Sequence, residues 1–591
     1  MSDMVMPLHV CALTNALWRT IARASGRTDS CPKPFVALMT TLLEAQEKGS
    51  VCTKHNAESL SLQDLESLIQ AGVVVRREDV PFDEAKEGPK APIVFDATNN
   101  GEADRYYFRR QFKEEWRLAK RLLDFVNLPA LAPTIEQQQK LTSMIRPENP
   151  QQGEAIARSL PNRLSIISGG PGTGKTTTVA MLLECLLIAE PEAFVALAAP
   201  TGKATSRMKE SIANSLKSRS AEFPLLQTAL DQNRVAARTI HRWLMTATSQ
   251  GSQPNARNPI EADILIVDEA SMIDSTMALR LFEAVDPNRT RVILLGDRFQ
   301  LAAVGPGSFF GELTSEDSPL DRCVSRLTKS FRFTSDSMVG RLATHINTIG
   351  DSFNWDDFQK VLGTSDKDET RLETDVRFET IKTWLKPYLN EMLHLINELK
   401  KANDEEFVSL RAKLWRCGSK FRALCANRQG ENSVSAINEW VEKEIRDALK
   451  IPQTQPFYPG KMVIIRTNNE DVGLYNGDVG IVVPHPKSPD LLEAIFDEEG
   501  ENHLSTGLLP QFDTAFAMTI HQSQGSEFDC VAVLLPVDSD SPLNTRELFY
   551  TGVTRAKREV FIVGRREAVQ NACVRATSRE SGLTERILES L

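Results

Sequence analysis

The stretch that most constrains this chain is IISGGPGTGKTTTV, residues 166–179. An apolar run that reads as a strand, Ile166-Ile167, enters a glycine-rich turn. The turn opens into AMLLECLL (180–187), whose composition is helical. Residues 169–176 satisfy G-x-x-x-x-G-K-[ST] with the flanking strand and helix that the pattern requires. Gly169, Gly170, Gly172 and Gly174, with Pro171 and Thr173 among them, let backbone N–H groups curl around a phosphate. The following helix, with Thr177 in its first turn, adds the positive end of its dipole. Lys175 is placed to reach the β- and γ-phosphates, and the Thr176 hydroxyl to ligate Mg²⁺. A turn that binds nothing has no need of this set, so the segment predicts a nucleoside-triphosphate site.

At 591 residues the chain is too long for one core, and three or four domains are expected. A formal net charge of -10 argues against wholesale coating of nucleic acid but leaves room for a local basic channel. No apolar run approaches the length of a membrane span, and residues 1–10 show no basic region followed by an apolar core. The expectation is a cytoplasmic protein without membrane contact. Nine scattered cysteines lack C-x-x-C spacing and read as reduced thiols; eight histidines form no ligand cluster.

Residues 1–130 look like a separate domain with several short helices, among them 35–47 and 60–71. In its aromatic and basic stretch, 106–117, a helix with buried aromatics is favoured over nucleic-acid contact. Residues 129–150 carry four prolines and read as a linker. A short helix then starts at 149–152. There Gln152 is placed either to pair with adenine, donor and acceptor together, or simply to be solvated. A buried strand, 193–199, ends in Pro-Thr-Gly-Lys-Ala, where Thr201 and Lys203 either hold a backbone phosphate or form an ordinary strand-to-helix turn. Thr239, His241 and Arg242 bear groups suited to a polyanion, although a solvated helix start explains them as well.

ILIVDEAS, 264–271, is the second strong signal. A buried strand ends in two carboxylates, Asp268 for the metal and Glu269 as general base. A third apolar strand, 292–296, leads to Gln300, a candidate γ-phosphate sensor. Arg332 and Arg555 are candidate arginine fingers. Taken singly, Gln300 reads as a loop residue and each arginine as a surface one. Residues 351–430 carry little chemistry; 387–401 reads as an amphipathic helix with Pro387 in its first turn. Asn476-Gly477 between apolar runs signals a hairpin, and a small β-barrel-like insert is expected over about 455–510. Residues 516–529 form a dense polar stretch before another strand.

In order, GGPGTGKT, APTGKAT, TIH, VDEAS, GDRFQL, FRF, TIHQSQGSEFD and YTGVTRAK make the chain resemble superfamily 1 helicases over roughly 150–565. The forms GGPGTGKTTTV, LYNGDVGIV and IHQSQGSEFD resemble the RecD type, the family of the alpha chain of exodeoxyribonuclease V in the RecBCD complex. The resemblance implies an α/β fold of two RecA-like parallel-sheet domains, 131–335 and 336–591, with the barrel-like insert in the second. It also implies a mainly helical N-terminal domain, 1–130, that docks on RecB-like beta and RecC-like gamma chains.

The cofactors implied are ATP and Mg²⁺, bound in the cleft between the lobes. Gln300, Arg332 and Arg555 match positions that contact the γ-phosphate; Gln152 and Phe331 match the base site; Gly525 and Glu527 match the nucleotide side of the fifth motif. Thr201, Lys203, Thr239, His241, Thr519 and His521 match DNA-contacting positions. The implied activity is ATP-dependent 5′-to-3′ helicase action on single-stranded and duplex-end DNA in break repair, with nuclease chemistry only through the complex. A free-standing RecD-like or phage-type helicase, or a partner-binding subunit with a weak motor, are the alternatives.

Overall fold

Ile264–Val267 is buried residue for residue, as befits a strand covered on both faces. It lies inside a six-stranded, all-parallel sheet in the computed structural model, which describes residues 8–24, 31–56, 60–81, 90–97, 104–246, 248, 252–332, 337–350, 352–362, 370–469, 471–486 and 488–591. Across the sheet run Val324–Leu327, Leu164–Gly169, Arg291–Gly296, Ile264–Val267, Val195–Ala199 and Val235–Thr239. A second parallel sheet runs Thr370–Glu373, Ala556–Val563, Phe528–Leu534, Phe421–Cys425 and Ala517–Thr519. Numbered by chain order, both sheets read 1-5-4-2-3, with a sixth strand added at the edge of the first. Two lobes of one topology therefore face each other, and only the first carries the glycine-rich loop after its first strand.

The barrel-like insert is, among the described residues, an open sheet. Its five antiparallel strands run His503–Ser505, Ser488–Ile495, Val479–His485, Met462–Ile465 and Phe512–Thr514, and the two end strands do not pair with each other. Asn476-Gly477 does not close a two-residue hairpin there. Met462 pairs with Ile481 and Ile464 with Val479, so the connection is a long loop. Gly477, at φ +95°, serves that loop's return. Pro387 also departs from expectation, lying inside the helix Phe378–Leu399 rather than in its first turn. Both Pro387 and Thr383, whose carbonyl loses its partner, are exposed, so water satisfies what the proline removes.

The stretch read as a linker contains a helix, Ile135–Met144, closed by a capping box at Thr134. Buried Gln137 donates from Nε2 to the Cys185 carbonyl on the phosphate-loop helix Lys175–Ala189, at 2.9 Å. At the N-terminus, helices predominate as expected, joined by a small sheet of Cys52–Lys54, Arg105–Phe108, Ile93–Asp96 and Val74–Arg76. Residues 106–108 are its strand, and Tyr106, Tyr107 and Phe112 are buried, which is the core reading of that stretch.

The helix Arg109–Val126 runs out of this region and buries Leu118, Leu122 and Phe125 in the core of the first lobe. Leu583 and Ile587 of the last helix, Leu583–Ser590, enter that same core, so the carboxyl-terminal tail leaves the second lobe and returns to the first. Arg586 at the tail is buried against Asp96 and Glu115, and Gly582 N–H donates to Glu115 Oε2 at 3.0 Å.

Candidate functional site: an interlobe phosphate cleft

The strand Leu164–Gly169 delivers the phosphate loop to the top of the first sheet, where Gly172 (φ +74°) and Gly174 (φ +80°) take the left-handed turn that exposes backbone N–H groups. Lys175 Nζ folds back over the loop, donating to the Gly169 carbonyl at 2.6 Å and the Gly170 carbonyl at 3.2 Å. Thr173 Oγ1 braces the turn on the Gly170 carbonyl at 2.9 Å. Thr176 and Thr177 open the following helix.

Asp268 and Glu269 stand two strands over, where Ile264–Val267 ends. Asp268 Oδ1 accepts from the Glu269 N–H at 2.8 Å, and Glu269 sits in the left-handed region at φ +52°, a strained position for a residue with a side chain. Burial, and next the Glu269 charge, push the Asp268 carboxyl up to about 6, with Lys175 the leading opposing charge. Two half-buried acids at a strand end, with the Lys175 charge acting on Asp268, are a donor set that fits a hard divalent cation.

Adenine-sized space lies beside the loop. A cavity of about 360 Å³ is lined by Asn149, Pro150, Gln152, Thr173, Lys329 and Phe331, with others. Gln152 is buried, its Nε2 3.4 Å from the Thr173 carbonyl, so it is not the solvated glutamine of the alternative reading. Phe331, 44% exposed, is held by its own N–H donating to the Gly172 carbonyl at 2.7 Å. A larger hollow of about 610 Å³ lies on the insert near His485 and His503, away from any phosphate-binding feature.

The second lobe closes over the loop. Arg332 donates to Glu527 Oε1 at 2.6 Å, and Arg207 approaches Glu527 Oε2 at 3.4 Å while also donating to the Gly525 carbonyl. Arg555 is buried, not a surface residue; its Nε donates to the Thr551 carbonyl at 3.1 Å. Burial lowers its pKa, and Glu269 and then Glu527 are the charges that oppose this, so it faces acids of both lobes. Gln300 is likewise buried, donating to Asp297 Oδ2 at 3.0 Å.

Thr201, two residues past Val195–Ala199, and Thr239, at the end of the neighbouring strand, each cap the next helix by accepting from the N–H three residues on. Lys203 spans to the insert, donating to the Gly477 carbonyl at 3.0 Å, and burial pushes its ammonium down to about 8. His241 is exposed. Thr519 is tied to Gln522, and His521 is held below its usual pKa by burial and then by Arg579. These six occupy strand ends and helix starts, and are not gathered into the nucleotide cleft.

Sequence reasoning missed Arg207, Asp297 and Tyr550. Arg207 lies one helical turn past Lys203, on the same face of Gly202–Ser218. Asp297 follows a buried strand directly, as Asp268 does, and that parallel was available as a signal. Tyr550 opens the YTGVTRAK stretch, whose only chemistry-bearing candidate was Arg555.

A glycine-rich phosphate loop with paired acids, closed from a second lobe of the same topology by Arg555 and by Glu527, which pairs with Arg332 and Arg207 of the first lobe, defines a two-lobed phosphate-loop nucleoside triphosphatase. Residues 152–306 match the AAA domain family, and 514–563 the UvrD-like helicase C-terminal domain. The RecBCD enzyme subunit RecD of Haemophilus influenzae is 31% identical over 82% of this chain and 80% of its own length. The same subunit of Mycobacterium tuberculosis is 35% identical over 74% and 73%. The chain belongs to the RecD family. A Bacteroides Pif1 helicase in complex with ADP-AlF3 and ssDNA aligns over 78% of this chain and 98% of its own, at 18% identity and a TM-score of 0.39. No helix among the described residues is long and apolar enough to cross a membrane.

Proposed function

We propose that this chain is an ATP-driven DNA helicase, the motor subunit of a RecBCD-type assembly with RecB-like and RecC-like chains. The observation that carries the reading is the Arg332–Glu527 bridge, with buried Arg555 beside it, closing the second lobe over the phosphate loop of a RecD-family chain. Lys175 binds the β- and γ-phosphates. Thr176 and Asp268 would hold Mg²⁺, which would supply positive charge against the phosphate oxygens. Glu269 takes a proton from water as the water oxygen bonds to the γ-phosphorus and the bond to the β-phosphate oxygen breaks. Arg332 and Arg555 stabilise the charge on the transferring group. Release of phosphate loosens the lobes, and alternating grip through Thr201, Lys203, Thr239, His241, Thr519 and His521 moves the motor 5′ to 3′ along one strand.

Residues 1–130, with the tail packed on them, form the partner-docking part, and the whole acts in the cytoplasm at broken DNA ends. The test is ATP hydrolysis by the chain, alone and with its RecB-like and RecC-like partners, with and without single-stranded DNA, beside Lys175→Ala. Strong DNA stimulation is expected, falling by about 10²–10³-fold in the variant. Hydrolysis indifferent to DNA in both settings would reject a DNA motor. Duplexes with a 5′ or a 3′ single-stranded tail then read the polarity.

A further inference from the structure

The loop 297–301 touches the other lobe at four places. Tyr550 Oη donates to Asp297 Oδ2 at 3.1 Å, and the Tyr550 ring stands edge-on to Phe299 at 6.1 Å. Leu301 N–H donates to Thr551 Oγ1 at 2.9 Å, and Gln524 Nε2 donates to the Leu301 carbonyl at 3.2 Å. Asp297 and Tyr550 are 1% and 4% exposed. The Tyr550 hydroxyl also lies against the phosphate loop, since a side chain at Gly170 would meet it at 2.9 Å.

Asp297 Oδ2 thus accepts from two donors, Tyr550 across the cleft and Gln300 Nε2 on its own lobe, while Oδ1 accepts from the Phe299 N–H at 3.1 Å. The carboxylate settles which way the Gln300 amide points: Nε2 is used, so Oε1 is turned away from Asp297. That oxygen is buried with no hydrogen-bond partner among the described residues, an arrangement whose cost calls for a missing donor.

We propose that Tyr550 is a positioning residue that acts through Asp297: its hydroxyl, arriving only when the lobes are closed, holds Asp297 so that Gln300 Oε1 accepts from the attacking water. One O–H of that water is held by Gln300. The other proton passes to Glu269 as the new O–P bond forms and the bond to the β-phosphate oxygen breaks. The relay makes hydrolysis conditional on lobe closure without adding any contact to the bound nucleotide, and it rests on the ATPase reading given above.

The test is steady-state ATP hydrolysis on single-stranded DNA by the full chain with its partners, comparing wild type, Tyr550→Phe, Gln300→Ala and the double variant. Tyr550→Phe keeps the ring against Phe299 and deletes one oxygen. It is expected to lower kcat by about tenfold with KM for ATP changed by less than about twofold, because the group acts only at the chemical step. The double variant is expected to match Gln300→Ala alone, since a residue working through another adds nothing once the other is gone. Multiplying effects, or a Tyr550→Phe kcat within about twofold of wild type, would overturn the relay. A tyrosine that only supports the fold would instead lower the thermal midpoint and raise KM together. A wild-type chain whose hydrolysis survives Lys175→Ala would overturn the ATPase reading, and the relay with it.

Discussion

Two seams hold this molecule together, and they are built differently. The nucleotide cleft is crossed by a handful of polar contacts: the Arg332–Glu527 bridge, the Tyr550–Asp297 bond and the backbone ties of Leu301. Arg332 and Glu527 keep side-chain exposures of 24% and 17%, and Gln300 leaves an oxygen unsatisfied. The seam between the N-terminal region and the tail is a buried ionic network. Arg586 stacks on Phe112 and Tyr107 while pairing with Asp96 and Glu115, all but closed to solvent. Arg105–Glu585 and Arg77–Glu589 extend it. Charges that are half wet can part and re-form at small cost, whereas a buried charge left alone is costly. The first seam is made to open and the second to stay shut.

That contrast breaks most visibly at the arginines. Arg332→Ala is expected to lower kcat for ATP hydrolysis by about 10³-fold while moving unfolding free energy by less than about 1 kcal/mol. Arg586→Ala should do the reverse. It strands Asp96 and Glu115 in the interior and costs about 3–5 kcal/mol, read by chemical denaturation. If its main effect fell on kcat instead, the tail seam would belong to the motor's moving parts.

A gentler probe is pH. Burial, and next the Glu115 charge, push the Glu312 carboxyl up to about 8. A folded-state value above the unfolded one means the native state holds the extra proton. The stability it contributes is complete below the unfolded value near 4.5 and is lost as pH rises through 8. The denaturation midpoint of the wild type should therefore fall between pH 5 and pH 8, and Glu312→Gln should flatten that slope. The smallest expected effect is at a strand end. Thr201→Ala removes a helix cap worth about 1 kcal/mol, and its effect on single-stranded DNA affinity shows whether the hydroxyl is shared with a phosphate.

Much of the cleft was legible because its chemistry is local. A phosphate loop needs its glycines, lysine and threonine consecutively, and Asp268-Glu269 follow an apolar strand without interruption, so contiguous residues announce them. Gln300 and Arg555 were nameable only as members of an ordered set. Singly, Gln300 read as a loop residue and Arg555 as a surface one, and burial in the cleft is what distinguishes them. Asn476-Gly477 makes the expected turn, closed by Asp478 N–H to the Tyr475 carbonyl at 3.0 Å, and its flanking strands pair antiparallel, but the turn closes a long loop that also receives Lys203 rather than a two-residue hairpin. Pro387 misled because a proline suits a first turn, but an exposed helix interior tolerates it once water takes up the freed carbonyl.

By itself, then, the sequence determined the phosphate loop, the acid pair, several of the apolar strands of the two parallel sheets and the order of the motifs, since each depends on neighbours a few residues away. Only the tertiary structure decided that Tyr550 meets Asp297, that Arg207 shares Glu527 with Arg332, and that the last helix returns to the first lobe. Those pairs lie 253, 320 and several hundred residues apart in the chain, or are set by how two sheets are docked, and no local preference encodes such a distance.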